Sequence, residues 1–225
     1  MAAPASLMIF AAGFGSRMGA LTAERPKPLI EVADRPLIDH ALDLAEGMSL
    51  TKVVNTHYKG EMLASYLENR DIHISHEPEI LDTGGGLRQA LQILGPDPLF
   101  TLNADAVWRG PNALNLLAAA WDPVRMDALL MCVPLARAVG RKGGGDFSAA
   151  PNGQISRKGD LVYTGVQILK TDGLAHHAEA AFSLNRLWDQ MIADGRAYAL
   201  EYPGFWCDVG HPEGIKLAEE LISDV

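Results

Sequence analysis

Short apolar segments alternate with stretches of helical periodicity along the first half of the chain, and this alternation restricts the fold most. The first segment, SLMIFAA, is apolar almost throughout, which is typical of a central parallel strand buried on both faces. Further strand-like segments are KVVNTH, IHISHE and PLFTLNAD. The intervening segments PLIDHALDLAEG, GEMLASYLENR and GGLRQALQILG have the spacing of amphipathic helices. This order predicts an α/β layer fold with a mostly parallel sheet.

The pattern changes after Leu135. The segment GRKGGGDFSAAPNGQISRKGD is rich in glycine and polar residues. It predicts a loop at residues 140–145, which is a candidate lid, and then a hairpin that turns at residues 151–153. A strand (LVYTGVQILK), a helix (FSLNRLWDQMIADG), a strand (AYALEY) and a closing helix (HPEGIKLAEELI) follow. We expect one domain over residues 1–225, with halves at 1–110 and 111–225 and a small β insert in the second half.

Composition limits the functional class. The 225 residues carry a formal net charge of −9, which argues against a nucleic-acid-binding protein but permits a small anionic ligand. We interpret the first residues, MAAPASLMIFAAG, as leading into a first strand and not as a signal peptide, and no apolar run in the sequence reaches the length of a membrane span. Cys132 and Cys207 lack the spacing of a zinc site, so we interpret them as buried thiols in a reducing compartment. We therefore expect a cytoplasmic monomer or small homo-oligomer that binds neither nucleic acid nor membranes.

A glycine-containing loop follows the first predicted strand and resembles two standard phosphate-binding motifs without matching either. A dinucleotide fingerprint starting at Gly13 requires glycine at its sixth position, which is Met18 here. A triphosphate-binding P-loop requires Gly-Lys where this chain has Met18 and Gly19. Pro26 and Pro28 also prevent one long helix after the loop. A phosphate site here must be built in another way.

The same segment still has the residues that a triphosphate needs. Small side chains let backbone N–H groups approach phosphate oxygens closely, and here they belong to Ala11, Ala12, Gly13, Gly15 and Ser16. Arg17 offers a planar fork of donors. Lys27, between the two prolines, offers a point charge on a stiff segment, where it could stabilise charge in phosphoryl transfer.

The segment FAAGFGSRMGALTAERPKPLIEVADRPLI resembles the signature of the sugar-1-phosphate nucleotidylyltransferases, a Gly-x-Gly-x-Arg turn followed by Pro-Lys-Pro. Further segments resemble that family in the same order along nearly the whole chain: VVNTHYKGEML, EPEILDTGGGLRQAL, LNADAVW, VYTGVQIL and WCDVGHPEGIKLAEELI. FSLNRLWDQMIADGR and GGGDFSAAPNGQISR are most similar to the short N-acetylmuramic acid-1-phosphate uridylyltransferases. The resemblance implies a Rossmann-like three-layer α/β/α fold with a mixed, mainly parallel central sheet.

The resemblance also implies a reaction. In the family, a sugar-1-phosphate oxygen attacks the α-phosphate of a nucleoside triphosphate, and pyrophosphate leaves. Carried over to this chain, Arg17 would hold the β- and γ-phosphates and Lys27 would bridge the reacting phosphates. Asp105 and Asp208 would hold Mg²⁺, a hard cation that prefers carboxylate oxygen and water. The substrates would be an NTP, most closely UTP, and a sugar 1-phosphate, most closely that of N-acetylmuramic acid, in cell-wall sugar recycling.

Substrate-binding residues follow from the same resemblance. Thr83, Gly84 and Gly85 would contact the nucleobase through their backbone, although Thr83 is equally well interpreted as a helix N-cap. Residues on the sugar side would be Glu77, Asn103, Thr164 and Gly165, with Asn185 and Trp188 as further candidates. His211 stands where the family usually has threonine, which leaves its role open.

Other functions remain open from the sequence. A mannose-1-phosphate guanylyltransferase and a glucose-1-phosphate uridylyl- or thymidylyltransferase share the motifs named above. A non-catalytic nucleotide-sugar sensing subunit would keep the fold but lose charged residues, and all four are present. A dinucleotide-dependent oxidoreductase is disfavoured by Met18 and by the prolines beyond it.

Overall fold

The computed structural model describes residues 4–95 and 98–223. Its strands are β1 (Ser6–Phe10), β2 (Glu31–Val32), β3 (Arg35–Pro36), β4 (Thr51–Thr56), β5 (His73–His76), β6 (Leu99–Asn103), β7 (Ala106–Arg109), β8 (Ala128–Pro134), β9 (Ala138–Val139), β10 (Phe147–Ala149), β11 (Ile155–Arg157), β12 (Leu161–Leu169), β13 (Ala197–Glu201) and β14 (Phe205–Asp208). Its α-helices are α1 (Leu37–Asp43), α2 (Gly60–Leu67), α3 (Asp82–Leu94), α4 (Ala113–Ala120), α5 (Asn185–Ala193) and α6 (Pro212–Ser223). Short 3-10 helices cover Ser16–Thr22, Lys27–Leu29, Leu135–Arg137 and Asp172–His176.

The central sheet is mixed. Its main path runs β5-β4-β1-β6-β12-β10-β11, and the strands from β5 to β6 are parallel. The long strand β12 is antiparallel to β6 and also pairs with β8, which in turn pairs in parallel with β13. The predicted α/β fold with a mixed sheet is thereby confirmed. The division into halves at residues 1–110 and 111–225 stays a prediction.

Burial of β1 on both faces explains the three-layer arrangement. Leu7 and Ile9 point into one hydrophobic cluster, which α1, α2 and α4 cover. Met8, between them, points into the opposite cluster, which α3 and α5 cover. Because successive side chains of a strand face opposite sides of the sheet, an apolar run such as SLMIF needs a helical layer on each side.

A smaller hydrophobic cluster packs the last helix, α6, against β7, which follows Asp105, and β14, which ends at Asp208. Val107 and Cys207, from the paired strands β7 and β14, pack with Ala218 and Leu221 of α6. The N–H of Val209 donates to the carbonyl oxygen of Asp105 at 2.9 Å, which joins the ends of the two aspartate-bearing segments. Cys132 and Cys207 are buried free thiols, and burial raises the pKa of the Cys207 thiol to about 12. Both therefore act as neutral packing side chains.

The predicted hairpin forms at the edge of the sheet. β10 and β11 pair antiparallel, and the turn closes through Gly153, whose N–H donates to the carbonyl of Ala150 at 2.8 Å. Gly153 has a φ of +88°, a conformation that glycine adopts without strain. Among the residues that the structure describes, no helix is long and apolar enough to cross a membrane.

Asp127 joins three strand ends, because it precedes β8, Lys170 follows β12 and Arg196 precedes β13. Its carboxylate accepts hydrogen bonds from Lys170 Nζ at 2.7 Å and from Arg196 Nε at 2.6 Å. Burial raises the pKa of the carboxyl, but the hydrogen bonds from Arg196 and Lys170 outweigh it and lower the pKa. A lowered folded-state pKa adds stability above the unfolded pKa, and this stability is lost as the pH falls through the folded pKa.

We expect Asp127→Asn to lower the melting temperature at pH 7 by about 2–4 °C, equivalent to ~1 kcal/mol for a partly exposed pair. The difference from the wild type should shrink as the pH falls below about 4, where the unfolded carboxyl is protonated. Thermal unfolding from pH 3 to pH 8 measures this. Asp71→Asn is the control, because Asp71 is fully exposed and 3.9 Å from Lys52. A pH-independent difference would contradict the prediction.

Candidate active site

Two adjoining cavities open at the carboxyl ends of the parallel strands. The first cavity has a volume of about 310 Å³ and is lined by the ends of β1 and β6, by the glycine loop and by the segment after β5. The second cavity, of about 290 Å³, is lined mainly by the hairpin, β12 and α5. Phe10, Asp82, Thr83 and Asn103 line both cavities. This is the edge of an open α/β sheet where ligands bind, and the shared wall suits two substrates that must meet.

The glycine loop forms one wall of the first cavity. Gly15 has a φ of +63°, and a side chain on it would lie 2.9 Å from Cβ of Lys27 and from Thr22. The loop therefore packs directly on the stem of Lys27 and needs glycine there. Gly13 is exposed, and nothing lies within 4 Å of where its Cβ would be. Within residues 4–95 and 98–223, no protein acceptor bonds the N–H of Gly13 or Gly15, so both are available to an anion.

Ala11 requires a correction. It lines the first cavity together with Ala12, Ser16 and Arg17, as the sequence predicted. However, its N–H donates to Asn55 Oδ1 at 2.7 Å, so it is not a donor for a phosphate. The small side chain of Ala11 still keeps the wall open.

A buried hydrogen-bond network supports this wall. Asn55 Nδ2 donates to Glu77 Oε1 at 2.7 Å, and the N–H of Leu81 donates to Glu77 Oε2 at 2.9 Å. Glu77 has no exposed surface. It borders the first cavity and not the second, and a protein donor bonds each of its carboxylate oxygens, so the structure gives it a supporting role in place of the predicted contact with the sugar. Asn55 is not among the predicted site residues, although an asparagine inside the buried strand VVNT indicates a buried hydrogen-bond network.

Three of the four predicted charged residues, Arg17, Lys27 and Asp105, line the first cavity, and the fourth, Asp208, is close enough to interact with them. Lys27 Nζ and Asp105 Oδ2 form an ion pair at 2.7 Å, and the lysine side chain is only 11% exposed. Lys27 begins a 3-10 helix directly after Pro26, so its backbone is fixed. Asp208 faces this pair from β14. Burial and the charge of Asp105 raise the pKa of the Asp208 carboxyl, while the charges of Lys27 and Arg17 lower it.

The two aspartates could hold a hard divalent cation. The charge repulsion between Asp105 and Asp208 is the kind that a bound cation removes. In the described part of the chain, no group of three or more His, Cys, Asp or Glu side chains is placed to hold a metal. A carboxylate pair alone suits Mg²⁺, which keeps several waters and binds phosphate oxygens as further ligands. Gly210 lines the first cavity, and a Cβ there would lie 3.0 Å from both Asp208 oxygens.

The predicted nucleobase segment differs from expectation. Thr83, Gly84 and Gly85 lie inside the first turn of α3 rather than before it, so Thr83 is not an N-cap. Thr83 lines both cavities, and its Oγ1 accepts a hydrogen bond from the N–H of Leu184 at 3.0 Å. The N–H groups of Gly84 and Gly85 donate to the carbonyl of Phe182 at 2.8 and 3.1 Å. Gly84 therefore serves close packing against Phe182 and Gly85 against Ala180, and their N–H groups are not offered to a base.

The second cavity contains several residues that the sequence analysis did not select, among them Arg141, Arg157, Tyr163 and Gln167. Asn185 and Trp188, the further sugar-side candidates, also line it. Trp188 Nε1 donates to Gln167 Oε1 at 2.9 Å, and Gln167 Nε2 donates to Thr101 at 3.0 Å, so this wall is rigid. The missed residues lie between positions 141 and 167, and only the fold brings them together with the distant residues Asn103 and Trp188.

Of the remaining sugar-side predictions, only Asn103 lines a cavity. Thr164 is buried, and its hydroxyl donates to the carbonyl of Met131 at 2.7 Å. Gly165 has a φ of +89°, and a Cβ there would lie 2.9 Å from that of Asn103. Thr164 and Gly165 line neither cavity, but the missing side chain of Gly165 leaves room for Asn103.

The loop at residues 140–145 borders the second cavity. Arg141 Nη2 donates to Asp146 Oδ1 at 2.7 Å, and Lys142 pairs with Glu213 at 3.2 Å. These contacts attach the loop to the hairpin and to α6. His211 precedes α6 and lines neither cavity, and its carbonyl accepts the N–H of Gly214 at 2.9 Å.

Residues 7–143 match the family model described as MobA-like NTP transferase domain. The chain belongs to this NTP transferase family. It is 40% identical to an N-acetylmuramate alpha-1-phosphate uridylyltransferase of Caulobacter vibrioides, over 99% of this chain and 98% of that protein. It is also 28% identical to a mannose-1-phosphate guanyltransferase of Hypocrea jecorina, over 92% of this chain but 61% of that protein.

The fold of the NTP transferase also matches solved structures. A putative glucose-1-phosphate thymidylyltransferase from Bacillus anthracis superimposes with a TM-score of 0.77 at 16% identity, over 98% of this chain and 96% of that one. The resemblance to the nucleotidylyltransferases is confirmed. Membership of this family does not support the alternative of a dinucleotide-dependent oxidoreductase.

We expect Gly86→Ala to destabilise the NTP transferase. A Cβ there would lie 2.5 Å from Glu77 Oε1 and 3.0 Å from Asn55 Nδ2. Alanine gains about 1 kcal/mol in helix propensity, but crowding and the disturbed buried hydrogen bonds cost more, so that a net loss of about 1–3 kcal/mol remains. The melting temperature should fall by about 3–10 °C.

Gly144→Ala is the matched control, since Gly144 is exposed and has nothing within 4 Å of its Cβ position. Its melting temperature should stay within about 1 °C of the wild type. Equal melting temperatures for the two variants would contradict the role of the Asn55–Glu77 network.

Proposed function

We propose that this chain transfers a uridylyl group from UTP to N-acetylmuramate 1-phosphate and releases pyrophosphate, with Mg²⁺ as cofactor, as part of cytoplasmic cell-wall sugar recycling. The observation that carries the proposal is the 40% identity to the Caulobacter vibrioides uridylyltransferase over 99% of this chain and 98% of that protein. The Hypocrea jecorina guanyltransferase instead matches over 61% of its length at 28% identity. Mannose 1-phosphate with GTP is therefore the second candidate.

The arrangement of the cavities supports two substrates that react directly. The first cavity has the free N–H groups of the glycine loop and the side chains of Arg17 and Lys27, which suit a triphosphate. The second cavity has aromatic and amide side chains, which suit a sugar. Because Asn103 lies in both walls, a sugar phosphate in the second cavity would point its phosphate toward the first.

The residues would promote transfer by position and charge. A sugar phosphate oxygen attacks the α-phosphorus, the bond to pyrophosphate breaks, and negative charge moves to the leaving group. Lys27, fixed by Asp105 and by the packing of Gly15, would place its ammonium at the reacting phosphates. Arg17 would bind the leaving pyrophosphate. Mg²⁺ held by Asp105 and Asp208 would neutralise phosphate charge.

The direct test is pyrophosphate release with five triphosphates (UTP, dTTP, GTP, CTP and ATP). Each is combined with the 1-phosphates of N-acetylmuramic acid, N-acetylglucosamine, glucose and mannose, with Mg²⁺ and then with excess EDTA. We expect the strongest response from UTP with N-acetylmuramate 1-phosphate, and its loss with EDTA. A strongest response from GTP with mannose 1-phosphate would overturn the substrate but keep the reaction. Nucleotide binding without turnover in any combination would support a sensing subunit instead.

We expect Lys27→Met to lower kcat by about 10²–10³-fold, because it removes a preorganised charge from the transferring phosphate. The methionine keeps the length of the stem that packs on Gly15. The readout is the steady-state rate of pyrophosphate release, together with the melting temperature.

Lys216→Met is the control, since Lys216 lies on α6 with its side chain 82% exposed. It should retain the wild-type kcat. A Lys27→Met variant that turns over within about threefold of the wild type would remove Lys27 from the proposed mechanism.

A further inference from the structure

Two arginines line the second cavity, and they differ in their relation to the catalytic carboxylates. Gly140, next to Arg141 in the chain, packs against the carbonyl group of Asp208, so the loop that carries Arg141 borders the catalytic end of the cavity. Arg157, on β11 of the hairpin, contacts Phe147, Asn185 and Trp188. All three line the second cavity and none lines the first, so Arg157 lies on the side away from the reacting phosphates.

The guanidinium of Arg157 is held in a fixed position. Its Nε donates to Asp189 Oδ1 at 2.7 Å, and its Nη2 donates to the carbonyl of Asn185 at 3.0 Å. The group also lies 5.0 Å from the ring centre of Phe147 and 5.7 Å from that of Trp188, within the range of cation–π contact. Few rotamers remain to be lost when a ligand binds to such a side chain.

One nitrogen of this guanidinium remains available. Across residues 4–95 and 98–223, Nη1 of Arg157 has no hydrogen-bond partner. Two acidic residues line the second cavity: Asp146 accepts hydrogen bonds from Arg141 and from the N–H of Tyr163, and Asp82 accepts one from the N–H of Thr83. The ion pair of Arg157 with Asp189, which does not line the cavity, uses Nε and Nη2, so Nη1 is the donor left for a ligand.

An arginine at this place calls for a second anionic group on the substrate. A sugar 1-phosphate has one phosphate, and that phosphate must reach Lys27 and the two aspartates to react. A guanidinium on the far side pairs well with a carboxylate. N-acetylmuramate carries such a carboxylate on its lactyl ether, whereas N-acetylglucosamine is the same sugar without that ether.

We propose that Arg157 binds the lactyl carboxylate of N-acetylmuramate 1-phosphate and thereby selects this sugar over N-acetylglucosamine 1-phosphate. The inference rests on the proposed function. Arg157 is a specificity residue in it and takes no part in phosphoryl transfer. Arg141, near Asp208, is assigned to the phosphate that both sugars share.

The test compares kcat/KM for the two sugar 1-phosphates with UTP and Mg²⁺ in wild type, Arg157→Met and Arg157→Lys. The ratio of N-acetylmuramate to N-acetylglucosamine activity should fall about 10- to 100-fold in Arg157→Met, the range for loss of a hydrogen bond to a charged group. Arg157→Lys keeps the charge without the fork, so its ratio should fall less. It also provides a folded variant if the methionine variant unfolds.

Arg186→Met is the matched control, because Arg186 is on α5, outside both cavities, and pairs with exposed Glu179 at 2.7 Å. Its ratio should equal that of the wild type. Arg141→Met should lower activity on both sugars together and leave the ratio near the wild-type value.

The outcomes distinguish a wrong substrate from a wrong role for Arg157. A wild type that prefers another sugar 1-phosphate overturns the proposed substrate before any variant is considered. A wild type that prefers N-acetylmuramate, with an unaltered ratio in Arg157→Met and Arg157→Lys, overturns only the assignment of Arg157. An equal loss on both sugars in these variants also overturns it, since it would place Arg157 at the shared phosphate.

Discussion

The hydrogen-bond network of Asn55 and Glu77 is the interaction on which the site depends. It joins the ends of β1, β4 and β5 to the start of α3 through Ala11, Asn55, Glu77 and Leu81. A fully buried carboxylate is tolerated only where donors satisfy it, so these segments cannot separate without large cost. The glycine loop begins at Ala11, and its position against Lys27 follows from this attachment.

Charge balance is the second constraint. Lys27 faces Asp105, and Asp208 lies close enough to Asp105 for repulsion to raise its pKa. The cations Arg17 and Arg141 act on the same carboxylate. Such a cluster of opposite charges carries little net charge itself, but it can exchange partners when phosphates and a divalent cation arrive. The overall charge of −9 therefore says little about the ligand, because the field at the site is local.

Sequence reasoning was most successful where a residue's role depends on its immediate neighbours. The prolines around Lys27 indicated a short rigid segment, and the structure has a 3-10 helix there. Asp105 lies two residues after the end of β6, so its place at the edge of the sheet follows from the strand itself. Where the role depends on distant contacts, the predictions failed. Gly84 and Gly85 were expected to contact the nucleobase through their backbone, but the carbonyl of Phe182, about a hundred residues away, accepts hydrogen bonds from both of their N–H groups.

The sequence by itself determined the alternation of the main strands and helices, the α/β layer class and the segments that carry charge, because apolar periodicity is a local property of the chain. Only the tertiary structure decided which polar groups form hydrogen bonds within the protein and which face a cavity. Ala11, Glu77 and Thr164 are bonded internally, whereas Arg157 keeps a free donor beside Trp188. The physical reason is that hydrogen-bond partners and burial are set by residues far apart in sequence, which meet only once the sheet has formed.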